Sequence, residues 1–160
     1  MGGTARAAND AIIAAVDADT LVRSLVYRTV VERGVPPAIS EIAVALALEH
    51  HHVRAALTRL AAARMLVLQP STQEVLITPP FSAVPTQFLV ESPRHSAYAN
   101  CIWDAIGVPI MLGEPAHIVT GCGCCGDAMM LLVDPDQAPA DGGIVHFAVP
   151  ARWWEDIVFT

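Results

Sequence analysis

A chain of 160 residues with 54% hydrophobic residues and a net charge of −7 has core-forming material for one good-sized domain or two small ones. All nine basic residues are arginines, and a net negative chain exerts no general electrostatic pull on nucleic acid. No uninterrupted apolar run is long enough to cross a bilayer, and the short stretch Ala11 to Val16 is flanked by Asp10, Asp17 and Asp19 where a signal peptide would want basic residues. The expectation is a cytoplasmic protein, whose four cysteines serve metal or catalysis sooner than a disulfide framework.

Residues 1–20 are small and Ala-rich with scattered acids, and read as a loose N-terminal arm or a weak first helix. Leu21, Leu25, Val26, Val30 and Val31 then recur at helical spacing up to Gly34, and Pro36-Pro37 marks the stop. Ser40 is a plausible N-cap for a second helix over 41–48. A third helix runs from about His51 to Arg64 on a stripe of Val53, Ala56, Leu57, Leu60 and Ala61. Two short strands, 65–68 and 75–77, follow around the polar turn 69–73.

Three helices and a hairpin are the order of a winged helix-turn-helix, expected over 21–80, with the Pro-rich piece 78–85 as the linker out of it. A DNA-reading third helix needs a basic face. Here Arg54, Arg59 and Arg64 are too few and the hairpin carries no basic residue, so nucleic acid is an improbable partner. The run His50-His51-His52 reads as a polar helix start, because consecutive helical residues point in different directions.

From Pro85 the composition turns β-like, and 81–160 is expected to form the second unit. Residues 86–90 suggest a strand, 91–95 a turn, 117–120 a strand ending at a cysteine group, 128–133 its hairpin partner, and 144–149 a further strand. Trp153-Trp154 to Phe159 starts another element, and the chain stops at Thr160 within an apolar, β-prone run. Either the rest of the fold covers that edge or residues are missing beyond Thr160. The expected class is α+β: a winged-helix-like three-helix module, then a mixed, mainly antiparallel β core with one short catalytic helix.

That helix is the stretch 96–107, with Ser96 as N-cap and Gly107 and Pro109 as stop signals. Cys101 and Asp104, three residues apart, share a face among apolar neighbours. The bland alternative makes Cys101 a small core residue and Asp104 a solvated helix position. If the apolar face desolvates Asp104, its pKa rises and it can carry a proton near neutral pH. The group Cys122-Gly123-Cys124-Cys125 has the Cys-x-x-Cys spacing of a zinc knuckle or a redox pair, with His117 nearby. Only one such pair exists, and it lies in a Gly-rich turn, not at a helix start. Soft-metal binding by Cys101, Cys122, Cys124 and Cys125 therefore fits better than structural zinc or disulfide chemistry.

The run 81–90, Phe-Ser-Ala-Val-Pro-Thr-Gln-Phe-Leu-Val, and the run 98–107, Tyr-Ala-Asn-Cys-Ile-Trp-Asp-Ala-Ile-Gly, together with the turn at Gly121-Cys122, resemble the alkylmercury lyase family. The resemblance extends from about Pro36 to the end. It implies cleavage of a carbon–mercury bond to a hydrocarbon and Hg(II) without an organic cofactor. Cys101 would be the attacking thiolate that binds mercury and Asp104 the acid that protonates carbon. An external thiol would release the product, a mercuric reductase is the candidate recipient of Hg(II), and the front module would be packing, not DNA-reading. Cys122 matches a family cysteine usually treated as structural, whereas Cys124 and Cys125 lie outside the pattern.

One departure stands out. The family places a second catalytic cysteine just after the segment resembling 154–159, and no cysteine follows here. A truncated chain, replacement by Cys124 or Cys125, or a different task would each account for that. The rival readings are a non-catalytic thiol protein that binds or senses Hg(II) or Cu(I), a DNA-binding regulator, and a lyase relative recruited to another small-molecule reaction.

Overall fold

The computed structural model describes residues 3–137 and 144–147, with side chains from residue 18 onward. It is an α+β fold whose elements run α1 (Gly3–Arg33), α2 (Ile39–Leu46), α3 (His50–Ala62), β1 (Val67–Leu68), β2 (Val75–Thr78), β3 (Phe81–Ser82), β4 (Leu89–Glu91), β5 (Ser96–Ala99), α4 (Ile102–Leu112), β6 (Ala116–Gly121) and β7 (Ala128–Val133). None of the described helices is long and apolar enough to cross a membrane.

The N-terminal stretch read as an arm is continuous with α1 from Gly3. On that helix Val22, Val26 and Val30 are fully buried at four-residue spacing, while Leu21 is exposed, so the buried stripe is rotated by about one position from the one expected. Gly34 ends α1 with φ +76°, and its N–H donates to the Val30 carbonyl at 2.7 Å. A Cβ there would sit 2.6 Å from the Ser96 carbonyl oxygen, so only glycine lets the helix end lie against β5.

The second helix begins two residues before the expected start. Its N-cap is Ala38, not Ser40, and the Glu41 carboxylate accepts the Ala38 N–H at 2.7 Å. Helix α3 buries Val53, Ala56, Leu57 and Leu60, the stripe read from the sequence. These residues pack with Val22, Val26, Ile39, Ile42 and Leu66 into the first core cluster.

Among the described residues one seven-stranded sheet, order β1-β2-β3-β5-β4-β6-β7, spans both core clusters, and every pair in it is antiparallel. The core is therefore antiparallel throughout and not mixed. The Pro-rich piece expected as a linker contains β3, which bridges β2 and β5. Residues 144–147 form no strand, and the remainder of the strand expected over 144–149 lies outside the described residues, as does the element expected from Trp153. Helix α4 packs on one face of β3–β7, where Ala105 and Val108 meet Phe81, Val90, Ala97, Ala99 and Ile118 in a second core cluster. Val30 belongs to this cluster, so the α1 stripe touches both cores.

Beyond its C-terminus, α4 is tied to the β4–β5 turn through Glu114, a buried carboxylate. Ser92 Oγ donates to its Oε1 at 2.5 Å, His95 Nδ1 contacts the same oxygen, and Arg94 Nε donates to Oε2 at 2.7 Å. The Ser92 and His95 hydrogen bonds outweigh burial and, with Arg94, hold the Glu114 carboxyl at a pKa of about 2, below the ordinary 4.5. A carboxyl whose folded pKa is depressed stabilises the fold fully above its unfolded value and loses that contribution as pH falls to the folded one. Glu114→Gln is therefore expected to lower the urea midpoint at pH 6, and the gap from wild type should close between about pH 4.5 and pH 2. A gap that persists unchanged at the acid end would show that the charge is not what Glu114 contributes.

Candidate active site

The helix carrying the thiol starts later and ends later than its sequence suggests. Ser96 is not a cap but the first residue of β5, paired with Glu91. The N-cap is Cys101 itself, with extended backbone (φ −146°, ψ 177°), and its carbonyl accepts the first helical bond from the Ala105 N–H at 2.9 Å. Gly107 and Pro109 lie inside the helix, which runs to Leu112 and stops at Gly113 in the left-handed region. Pro109 removes a single intrahelical donor, and its ring is buried against the core.

With Cys101 at the N-cap, Asp104 is the third residue of the helix, the position from which an acid reaches back over the cap. The Cys101 thiol donates to Asp104 Oδ2 at 3.3 Å. Both side chains are partly buried. Burial is the main cause that pushes the Asp104 carboxyl above the ordinary carboxylate range, against the lowering pull of the Cys101 thiol, the Asn100 side chain and the Cys101 amide. Burial also pushes the Cys101 thiol up; the amides of Asp104 and Trp103 favour its thiolate, and the adjacent carboxyl opposes it. The pair is a thiol and a carboxylate sharing one hydrogen bond, each reluctant to be charged. That arrangement favours moving a proton between them once a cation meets the sulfur.

The surroundings are asymmetric. On one side Trp103 is 64% exposed and meets Phe147 edge-on at 6.5 Å between ring centroids. On the other side lies the sheet. The register that sets Val90 opposite Ala97 and Ile118 continues to Ala99 and Thr120 at the end where Cys101 follows β5. Thr120 Oγ1 is buried there and has no hydrogen-bond partner among the described residues, a polar atom that sequence reasoning did not single out.

The same end of the sheet carries the cysteine turn, because β6 runs antiparallel to β4 and ends at Gly121. Strand β4 separates β5 from β6, so the strands that lead to Cys101 and to the turn are not neighbours in the sheet. All four cysteines are free thiols. Among the described residues no three of His, Cys, Asp and Glu are grouped to hold a metal ion, so Cys101, Cys122, Cys124 and Cys125 do not form one shared metal centre in this structure. His117 is exposed on β6, opposite Glu91 and Leu132.

Two arginines of the front module, Arg54 and Arg59, are occupied within the fold. Arg59 makes a two-pronged ion pair with Asp19, Nε and Nη2 lying 2.9 and 2.7 Å from its oxygens, and Arg54 donates to the Thr72 carbonyl at 3.2 Å. Engaged in this way, the two side chains offer little to a phosphate backbone.

Fold and site together define an α+β protein with a thiol–carboxyl pair at a helix N-terminus, packed on an antiparallel sheet. Residues 81–159 match the model of the alkylmercury lyase family, so the chain resembles that family over the segment holding both Cys101 and Asp104. An alkylmercury lyase of Streptomyces lividans is 36% identical over 53 residues, which is 33% of this chain and 25% of that protein. The crystal structure of the mercury-bound form of MerB2 superposes with a TM-score of 0.56 at 16% identity, covering 74% of this chain and 56% of that one. The structural likeness shows the shared fold. The matched regions span about a quarter of the first relative and about half of the second.

Proposed function

We propose that this protein breaks carbon–mercury bonds by protonolysis, releasing a hydrocarbon and leaving Hg(II) on Cys101. The observation that carries the reading is the 3.3 Å contact between the Cys101 sulfur and Asp104 Oδ2 within the family-matched segment. As the sulfur displaces the counter-ion of R–Hg–X, the thiol proton crosses to the Asp104 carboxylate and X leaves as the anion. Burial raises the Asp104 pKa and so makes that carboxylate a better proton acceptor than an exposed one. The protonated carboxyl then delivers the proton to carbon, the carbon–mercury bonding pair goes with R to form R–H, and Hg(II) remains bound to sulfur beside the regenerated carboxylate. Two external thiols carry the ion away as a neutral bis-thiolate, returning one proton to Cys101 and one to solvent.

Thiophilic selectivity supplies the substrate class: a soft metal bonded to carbon is held by thiolate where hard cations are not. The exposed indole of Trp103, two residues along the chain from Cys101, offers apolar surface to the organic substituent. Incubation of the protein with phenylmercury and excess monothiol should release benzene in many equivalents per chain, read by headspace gas chromatography. Stoichiometric uptake of phenylmercury without benzene would instead identify a thiol protein that only binds the metal.

A further inference from the structure

The β6–β7 turn carries thiol chemistry that the Cys101–Asp104 pair does not use. It is a closed loop: the Cys122 N–H donates to the Asp127 carbonyl at 2.8 Å, and the Gly126 N–H donates to the Cys122 carbonyl at 2.8 Å. Gly126, at φ +78°, provides the left-handed residue that lets the loop close. Within it the Cys125 thiol donates to Asp127 Oδ2 at 3.2 Å. The amides of Cys125 and Cys124 face the Cys122 sulfur and favour its thiolate. Cys124 and Cys125 are exposed, and Cys122 is partly so.

We propose that Cys122 and Cys125 form a second, two-coordinate site for a thiophilic cation such as Hg(II), separate from Cys101 and without Cys124. The convergence of donors on Cys122 favours its thiolate, and its pKa lies below the ordinary thiol value. Cys122 and Cys125 stand three residues apart in a turn closed by backbone hydrogen bonds at both ends, so little rearrangement of the chain is needed to bring both sulfurs to one ion. No third ligand is grouped with them among the described residues, which suits a cation content with two sulfurs and disfavours tetrahedral zinc. Capture proceeds by ligand exchange. A neutral bis-thiolate of Hg(II) meets the Cys122 thiolate and the Cys125 thiol; both protein sulfurs bond to mercury, one carrier thiolate leaves as the anion, and the other leaves with the Cys125 proton.

The site is independent of carbon–mercury cleavage, and the test is made in the full chain carrying Cys101→Ser. Hg(II) supplied from a monothiol buffer is followed by the thiolate-to-mercury absorbance in the ultraviolet and by bound metal after gel filtration. The expected result is one Hg(II) retained per chain, lost on adding Cys122→Ser or Cys125→Ser and unaffected by adding Cys124→Ser. Circular dichroism of each variant confirms that the exposed turn was changed without loss of fold. Absence of retained Hg(II) in the Cys101→Ser chain would overturn the proposal. So would equal retention after Cys122→Ser, or loss caused by Cys124→Ser as much as by the other two.

Discussion

Cys101→Ser is expected to bring benzene release from phenylmercury down to the level of the thiol buffer alone. The thiolate is both the ligand that draws the metal out of its carrier and the group that pushes charge onto it as the carbon–mercury bond breaks. Serine keeps the N-cap, since a hydroxyl caps a helix at least as well as a thiol, so α4 should start where it does now. Loss of activity in a chain that melts like wild type therefore isolates the sulfur. The other three thiols provide the internal control: on this account none of them restores turnover, because it is the Cys101 thiol that is hydrogen-bonded to Asp104. Turnover in Cys101→Ser close to wild type would move the chemistry elsewhere, with Cys122 the first place to look.

Asp104→Asn should separate binding from bond breaking. The amide has the carboxylate's shape and can still accept the Cys101 N–H, but it can neither take the thiol proton nor give one to carbon. Loss of a positioned general acid costs about 10²–10⁴-fold in rate. Phenylmercury should still reach Cys101, so the variant is expected to accumulate the bound organomercurial. Stability should respond in the opposite sense from a structural residue. Burial raises the Asp104 pKa, which means the folded state pays to keep that carboxylate ionised at neutral pH. Asp104→Asn should then melt no lower than wild type at pH 7, as expected of a group retained for chemistry. A large drop in melting temperature would mark Asp104 as a structural cap instead.

Much of this fold was legible where periodicity and turn chemistry agreed. The α3 stripe from Val53 to Leu60 emerged because four apolar residues at helical spacing leave one orientation to the helix. The β6–β7 hairpin emerged because 117–120 and 128–133 flank a Gly- and Cys-rich turn, and the structure extends the pairing from Ala116–Val133 to Gly121–Ala128. The stretch around the site misled at its edges. Residues 96–99, Ser-Ala-Tyr-Ala, have no strong strand signal of their own, and they are a strand because β3 and β4 flank them on both sides. Gly107 and Pro109 looked like stops, yet burial of Ala105, Val108 and Pro109 carries the helix through them. The start signal was the acid three residues after Cys101, read at first as a catalytic partner alone and not also as a capping position.

The site itself was half visible. Cysteine and aspartate at a spacing of three are a weak motif, and the family-like runs on either side gave them meaning; the structure brings the two together at 3.3 Å. What spacing could not show is the third dimension: that the cysteine turn shares one end of the sheet with Cys101 although β5 and β6 are not neighbours, or that the buried Thr120 hydroxyl has no partner there among the described residues. These are consequences of strand order, and strand order β5-β4-β6 has no local signature.

Intact-protein mass spectrometry after one equivalent of phenylmercury, without external thiol, tests the central claim most directly. The wild-type chain should carry bare mercury with the phenyl group gone, while Asp104→Asn should hold mercury and phenyl together. A wild-type chain that keeps the phenyl group, or an Asp104→Asn chain that sheds it at the wild-type rate, would contradict proton delivery from Asp104 to a carbon held on the Cys101-bound metal.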